Sequence, residues 1–116
     1  MSNDITRFAP SPTGNLHLGG ARTALINYII SKKNNNSKFY LRIEDTDKER
    51  SKEKYKNQII QSLKWIGIEN DGNEYIQSKK IDDHIKVANE LLKNGHAYKC
   101  YCSNEEIEEQ KKRSKQ

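Results

Sequence analysis

The sequence predicts an α/β fold with parallel strands, on three observations. A short run from Ile5 to Ala9 reads as a strand and stops at Pro-Ser-Pro-Thr-Gly, which continues neither strand nor helix. From Leu18 the apolar spacing becomes helical, with Leu18, Ala21, Leu25, Ile26, Ile29 and Ile30 on one broad face until Lys32, Lys33 and three asparagines end it. Phe39, Leu41 and Ile43 then alternate with Tyr40 and Arg42 as a second strand. Strand, loop, helix and strand within about forty residues is a βαβ crossover, whose strands are parallel and whose connection is right-handed.

The later elements follow from the same signals. A helix is expected from about Lys52 to Ile66, with Ile59, Ile60, Leu63 and Ile66 inward, Trp65 near its end and Gly67 as its stop. Glu74 to Gln77 reads as a short strand, and Ser78 as the cap of a helix from Ile81 to Asn94 closed by Gly95. Ala97 to Cys102 reads as another strand. Ser103 and Glu106 form the capping box of a last helix, with Glu105, Glu106, Glu108 and Glu109 at its positive end and Lys111, Lys112, Arg113 and Lys115 at its negative end. Ile107 is the only large apolar residue of that helix, so it needs a neighbour, and the chain reads as cut short.

At 116 residues, 33% hydrophobic, the chain has room for one economical core. Its mean hydropathy of -1.06 leaves no stretch near the ~20 apolar residues of a membrane span, and the start lacks a secretory pattern, so a cytoplasmic protein without membrane contact is expected. Cys100 and Cys102 are too close for a loop-closing disulfide and point to free thiols or a metal. The net charge of +5 suits a polyanionic partner, although a bias toward Lys, Asn and Ile accounts for it as well. Arginine is scarcer, and Arg7, Arg22, Arg42 and Arg50 all fall in the first half as candidates for carboxylate or phosphate.

The segment Pro10 to Gly20 holds both prolines and three of the six glycines. It lies where a βαβ unit binds ligands, between the carboxyl end of the first strand and the start of the helix. Helix N–H groups favour phosphate there, Gly19 and Gly20 keep side chains out of the way, and His17 can donate to a phosphate oxygen. The P-loop and the G-x-G-x-x-G pattern are both absent. Spacing alone leaves open an ordinary Gly/Pro turn with a surface histidine. At the end of the second strand, Glu44 should lie near Arg7, a cation and a carboxylate suited to a zwitterion. An EF-hand is excluded because Arg50 stands at its glycine position. Asp45 and Asp47 read as caps of the following helix.

RFAPSPTG, the run Pro10 to Gly20, ARTAL, RIEDTDKERS, Tyr75 to Ser78 and Ala97 to Cys102 together resemble the bacterial-type glutamyl-tRNA synthetases, which are class I aminoacyl-tRNA synthetases. The resemblance implies the first half of a Rossmann-type (HUP-like) catalytic domain at 1–95 and the start of an inserted acceptor-binding domain at 96–116. It implies ATP-dependent activation of glutamate, with magnesium accompanying ATP, and transfer to the 3′ end of tRNA(Glu). Pro10, Ser11, Pro12, Thr13, Gly14, His17, Gly19 and Gly20 match the ATP signature, with His17 catalytic. Arg7, Ala9, Ser11 and Glu44 match the glutamate pocket, with Arg7 on the side-chain carboxylate and Glu44 on the α-amino group. Cys100 and Cys102 resemble half of a zinc site, with no second Cys/His pair following. The family's second signature loop is absent, so the chain alone is expected not to charge tRNA, and its complete relatives are expected to be monomers. Two alternatives are a paralogue that glutamylates queuosine in tRNA(Asp) and a non-catalytic nucleotide- or tRNA-binding module.

Overall fold

Two parallel pairings organise the amino-terminal part of the computed structural model, which describes residues 4–114. The elements in order are β1 (Ile5–Phe8), α1 (Leu18–Ser31), β2 (Lys38–Ile43), α2 (Glu53–Trp65), β3 (Tyr75–Ile76), a 3-10 turn at Gln77–Lys80, α3 (Ile81–Lys93) and α4 (Asn104–Arg113). The sheet order is β1-β2-β3, with Thr6 opposite Phe39, Phe8 opposite Leu41 and Ile43 opposite Ile76. Because side chains alternate along a strand, this register gathers Thr6, Phe8, Phe39, Leu41 and Ile43 on one face. Ala24 of α1 and Ile59 and Leu63 of α2 join them in the core, so both helices cover the same face. The other face carries Ile5, Arg7, Tyr40 and Arg42, and Ile5 is 70% exposed.

The helix α1 meets the sheet through a different stripe from the one its spacing suggests. Ala24 and Ser31 are buried, Tyr28 packs edge-to-face on Phe39 at 5.6 Å, and Thr6 Oγ1 donates to the Asn27 carbonyl at 2.8 Å. Leu18, Leu25, Ile26 and Ile29, expected inward, are exposed. Gly20 and Ala24, four residues apart, let the α1 backbone approach closely: a Cβ on Gly20 would lie 3.7 Å from Phe8 Cζ. The small residues therefore take the sheet, and α1 is apolar on both sides, as in helices buried within larger assemblies.

The end of α2 is set by backbone conformation. Gly67 takes φ 77°, and the amides of Gly67 and Ile68 donate to the carbonyls of Lys64 and Leu63 at 3.0 and 2.9 Å. This Schellman closure turns Ile68 back onto Leu63 in the core. Ile66 sits at the cap and is exposed, where the spacing put it inside.

The chain divides into two compact units, Met1–Ile81 and Asp82–Gln116. The second contains most of α3, closed by Gly95 at φ 75°, and α4 with its capping box: Ser103 N donates to Glu106 Oε2 at 2.7 Å and Glu106 N to Ser103 Oγ at 3.2 Å. Lys115, expected at the end of α4, lies outside the described residues. Residues 97–102 form no strand. Tyr98 and Tyr101 are each 87% exposed, and among the described residues this segment joins no sheet ladder that would pair its backbone groups. No helix among the described residues is long and apolar enough to cross a membrane.

Candidate active site

The Pro10 to Gly20 loop is held by carbonyls, as befits a segment whose prolines have no N–H to donate. Pro10 O accepts from Glu44 N at 2.9 Å, which carries the β1–β2 pairing beyond the strand ends, and Pro12 O accepts from Lys52 N at 3.1 Å. Further along, Leu16 N donates to Gln58 Oε1 at 2.8 Å. Pro12 is fully buried. The loop is thus fastened to the end of β2, to the start of α2 and to the α2 side chain of Gln58. The sequence offered no signal for Gln58, a polar residue on a polar helix. Between loop and helix lies a cavity of about 200 Å³ bordered by Pro10, Ser11, Gly14, His17 and Gly20.

His17 is the N-cap of α1, its Nδ1 accepting from Gly20 N at 3.3 Å. A ring nitrogen that accepts carries no proton in the neutral imidazole, so the proton resides on Nε2 and is available as a donor. The side chain is exposed. Gly19 and Gly20 serve the histidine as well as any ligand. A Cβ on Gly19 would stand 3.1 Å from Cε1 and Nδ1 of His17, and one on Gly20 would stand 2.9 Å from Leu16 Cδ1. A Cβ at Gly14 would meet nothing within 4 Å, so the loop is open there.

Arg7 and Glu44 share the uncovered face without touching. Arg7 is exposed and has no side-chain partner among the described residues. Glu44 is paired with Arg42, the residue two before it, through Nη2 and through Nε at 3.1 Å. Ala9 is half-buried beside them, and Ser11 is exposed. The backbone bond from Glu44 to Pro10 brings the carboxylate's residue to the loop, while Arg42 orients the carboxylate itself. Of the other arginines, Arg50 is bound to Asp47 at 2.6 Å and Arg22 stands exposed on α1.

Asp45 and Asp47 do not cap α2, whose N-cap Lys52 has no side-chain cap bond. Asp47 instead closes the turn before it, accepting from Arg50 N at 3.1 Å and Arg50 Nε at 2.6 Å, and the Arg50 backbone bond leads the causes that hold its carboxyl below the ordinary 3.8. Asp45 reaches across to the turn after β3, accepting from Ser78 N at 2.9 Å and from Ser78 Oγ at 2.7 Å. Ser78 is therefore a donor to Asp45 and not the cap of α3. Burial pushes the Asp45 carboxyl up, but the two Ser78 bonds, its own backbone N–H and the Lys56 charge together outweigh it and leave it below 3.8. A carboxyl depressed by folding stabilises the fold above its unfolded value and loses that contribution as pH falls through its folded value, so the window lies below 3.8. In urea titrations between about pH 5 and about pH 2, Asp45→Asn is expected to show a shallower loss of midpoint than the parent. Equal slopes would remove Asp45 from the acid response.

Cys100 and Cys102 are exposed free thiols on irregular backbone, so the same-side projection expected of a strand does not apply. The backbone N–H and then the thiol of Cys102 donate to Cys100, lowering its pKa from 9.0, while that thiol bond raises Cys102. Among the described residues no group of three or more His, Cys, Asp or Glu could hold a metal, so the half-site read for Cys100 and Cys102 gains no third ligand there.

A parallel βαβ unit with a proline-pinned, glycine-rich loop leading into a histidine-capped helix defines an α/β domain of Rossmann type, an arrangement whose loop and helix N-terminus suit a phosphate group. Over residues 5–116 the chain matches the family described as tRNA synthetases class I (E and Q), catalytic domain, and it belongs to that family. It is similar to the glutamate–tRNA ligase of Pelagibacter ubique, at 73% identity over all of the chain and 25% of that protein. With glutamate–tRNA ligase 1 of Ehrlichia canis it shares 56% identity over 98% of the chain and 24% of the relative. A crystal structure of a glutamate–tRNA synthetase from Elizabethkingia anophelis superposes with a TM-score of 0.82 at 39% identity, covering 93% of this chain and 23% of that one. The chain spans about a quarter of the length of the curated relatives it matches.

Proposed function

We propose that the chain supplies the ATP- and glutamate-binding corner of a glutamate–tRNA ligase, which forms glutamyl-adenylate and transfers glutamate to the 3′ end of tRNA(Glu). The observation that carries this reading is the pinned loop: the Pro10–Glu44 and Pro12–Lys52 bonds hold a helix N-terminus, with Nε2–H of His17 exposed, beside the residue that matches the amino-group ligand of glutamate. ATP lies along Pro10 to Gly20, with Ser11, Pro12, Thr13 and Gly14 shaping the approach and Gly19 and Gly20 leaving the helix N-terminus clear of side chains for phosphate, while the Gly20 amide itself is held by His17 Nδ1. Magnesium enters with the nucleotide as part of the substrate. His17 Nε2 donates to oxygen on the phosphates as the α-carboxylate of glutamate attacks the α-phosphorus and the bond to the β-phosphate breaks, releasing pyrophosphate with its magnesium, so that charge is stabilised where it develops. Arg7, without a side-chain partner among the described residues, takes the side-chain carboxylate, and Glu44 takes the ammonium group, with Ala9 and Ser11 completing the pocket. We assign 1–95 to the nucleotide-binding half and 96–116 to the start of the acceptor-binding insertion.

The experiment is a chimaera in which this chain replaces the corresponding quarter of the Pelagibacter relative. The chimaera is expected to charge tRNA(Glu) with glutamate, and the isolated chain is expected not to. A folded chimaera without charging activity, or charging by the isolated chain, would overturn the assignment.

A further inference from the structure

The bond from Leu16 N to Gln58 Oε1, at 2.8 Å, is the last tether to another element before His17 among the described residues. Upstream, Pro12 O is tied to Lys52 N, Thr13 N turns back on Ser11 O, and Gly14 stands in open space. Downstream, the imidazole is held only through Nδ1 and Gly20 N, and 3.3 Å is at the long end for a hydrogen bond. The direction in which the chain enters α1, and with it the direction of the ring, is therefore set at the Leu16 amide. The Leu16 side chain supports the same placement, half-buried against the core and filling the space beside Gly20.

Gln58 makes its bond in one sense only. The amide of Leu16 can only donate, so it requires the carboxamide oxygen, and the nitrogen on the other side donates to Ser62 Oγ at 2.9 Å. Ser62 lies one turn further along α2, on the same face as Gln58. Both residues are half-buried, where water competes less for such bonds. Gln58 itself does not border the cavity of the loop, although its neighbour Ile59 does.

We infer that Gln58, with Ser62 holding the plane of its carboxamide, is a positioning residue for His17: by clamping the Leu16 amide it aims Nε2 at the phosphates of ATP. The inference rests on the ATP reading of the loop and adds a residue outside the loop on which the rate depends. Because Gln58 acts through the histidine, its loss lowers kcat for adenylate formation and leaves the KM for glutamate in place.

The test uses the Pelagibacter chimaera and the 116-residue chain in parallel. Gln58→Met keeps the length and helix propensity of the side chain but offers Leu16 no oxygen. Gln58→Glu keeps an oxygen for Leu16, and the Ser62 hydroxyl can turn to donate to the other. In pyrophosphate exchange, Gln58→Met is expected to lower kcat about tenfold or more, the scale of a misplaced catalytic group, with the KM for glutamate unchanged. Gln58→Glu should recover most of that rate. In the His17→Ala background Gln58→Met should cost nothing further, since no imidazole remains to be aimed. Parental kcat in a folded Gln58→Met chimaera, or losses that multiply in the double variant, would overturn the inference. Amide spectra of the 116-residue chain read the clamp without any activity: the Leu16 amide proton should move upfield and the His17 ring nitrogens should shift in Gln58→Met, and both should stay near the parent in Gln58→Glu. An inactive parent chimaera would count against the ATP reading, whereas an unmoved Leu16 amide would overturn the clamp by itself.

Discussion

In the chimaera, His17→Ala is expected to lower the rate of glutamyl-adenylate formation by about 100- to 1000-fold, the effect of removing one donor aimed at developing charge. The substitution also removes the cap of α1, since Nδ1 accepts from Gly20 N at 3.3 Å, and that loss costs about 0.5–2 kcal/mol of stability. Two companion variants separate the effects. An asparagine at this position places an acceptor near the site of Nδ1, so His17→Asn should keep the cap and lose the reach of Nε2. His17→Gln places its amide nitrogen near Nε2 and should do the reverse. Thermal melts and pyrophosphate exchange measured on all three decide the role: if His17→Asn were as active as the parent, the histidine would be a cap alone.

The largest loss of stability is expected from Phe39→Ala. Phe39 is 0% exposed, stands in the middle strand of the sheet, and meets Tyr28 of α1 edge to face. Removing a buried phenylalanine costs about 3–5 kcal/mol, against a total of about 5–15 kcal/mol for an ordinary domain. Few other large side chains share the load, because Leu25, Ile26 and Ile29 of α1 face away from this core. Denaturant unfolding of the chain should therefore show a midpoint near zero for the variant. A shift smaller than that of an exposed control such as Ile5→Ala would contradict the assigned core.

The parallel fold was legible because alternation at Phe39, Leu41 and Ile43 and the punctuation at Pro10 to Gly14 depend on local chemistry. The facing of α1 was not. Its apolar residues surround the helix, and the side that meets the sheet is chosen by the smallness of Gly20 and Ala24, which hydrophobic spacing ignores. The same limit explains Asp45, whose partner Ser78 is distant in sequence and becomes a neighbour only when β3 pairs with β2. The segment 97–102 has strand-like residues, but a strand is completed by pairing, and among the described residues no sheet includes this segment. In the candidate site, the loop, His17 and the glycines could be read directly. The pairing of Glu44 with Arg42 could not, since two residues on one face compete for the same carboxylate and the winner depends on geometry.

That pairing sets up the most direct measurement of the two-substrate corner. Glu44 is held by Arg42 and Arg7 has no side-chain partner among the described residues, so Arg7 is the residue whose removal should be felt by glutamate and not by ATP. In pyrophosphate exchange by the chimaera with tRNA present, Arg7→Ala is expected to raise the KM for glutamate by about tenfold or more, the scale of a lost charged hydrogen-bond pair, with the KM for ATP unchanged. A KM for glutamate equal to that of the parent, or a rise confined to ATP, would contradict the placement of glutamate on the Arg7 side of the loop.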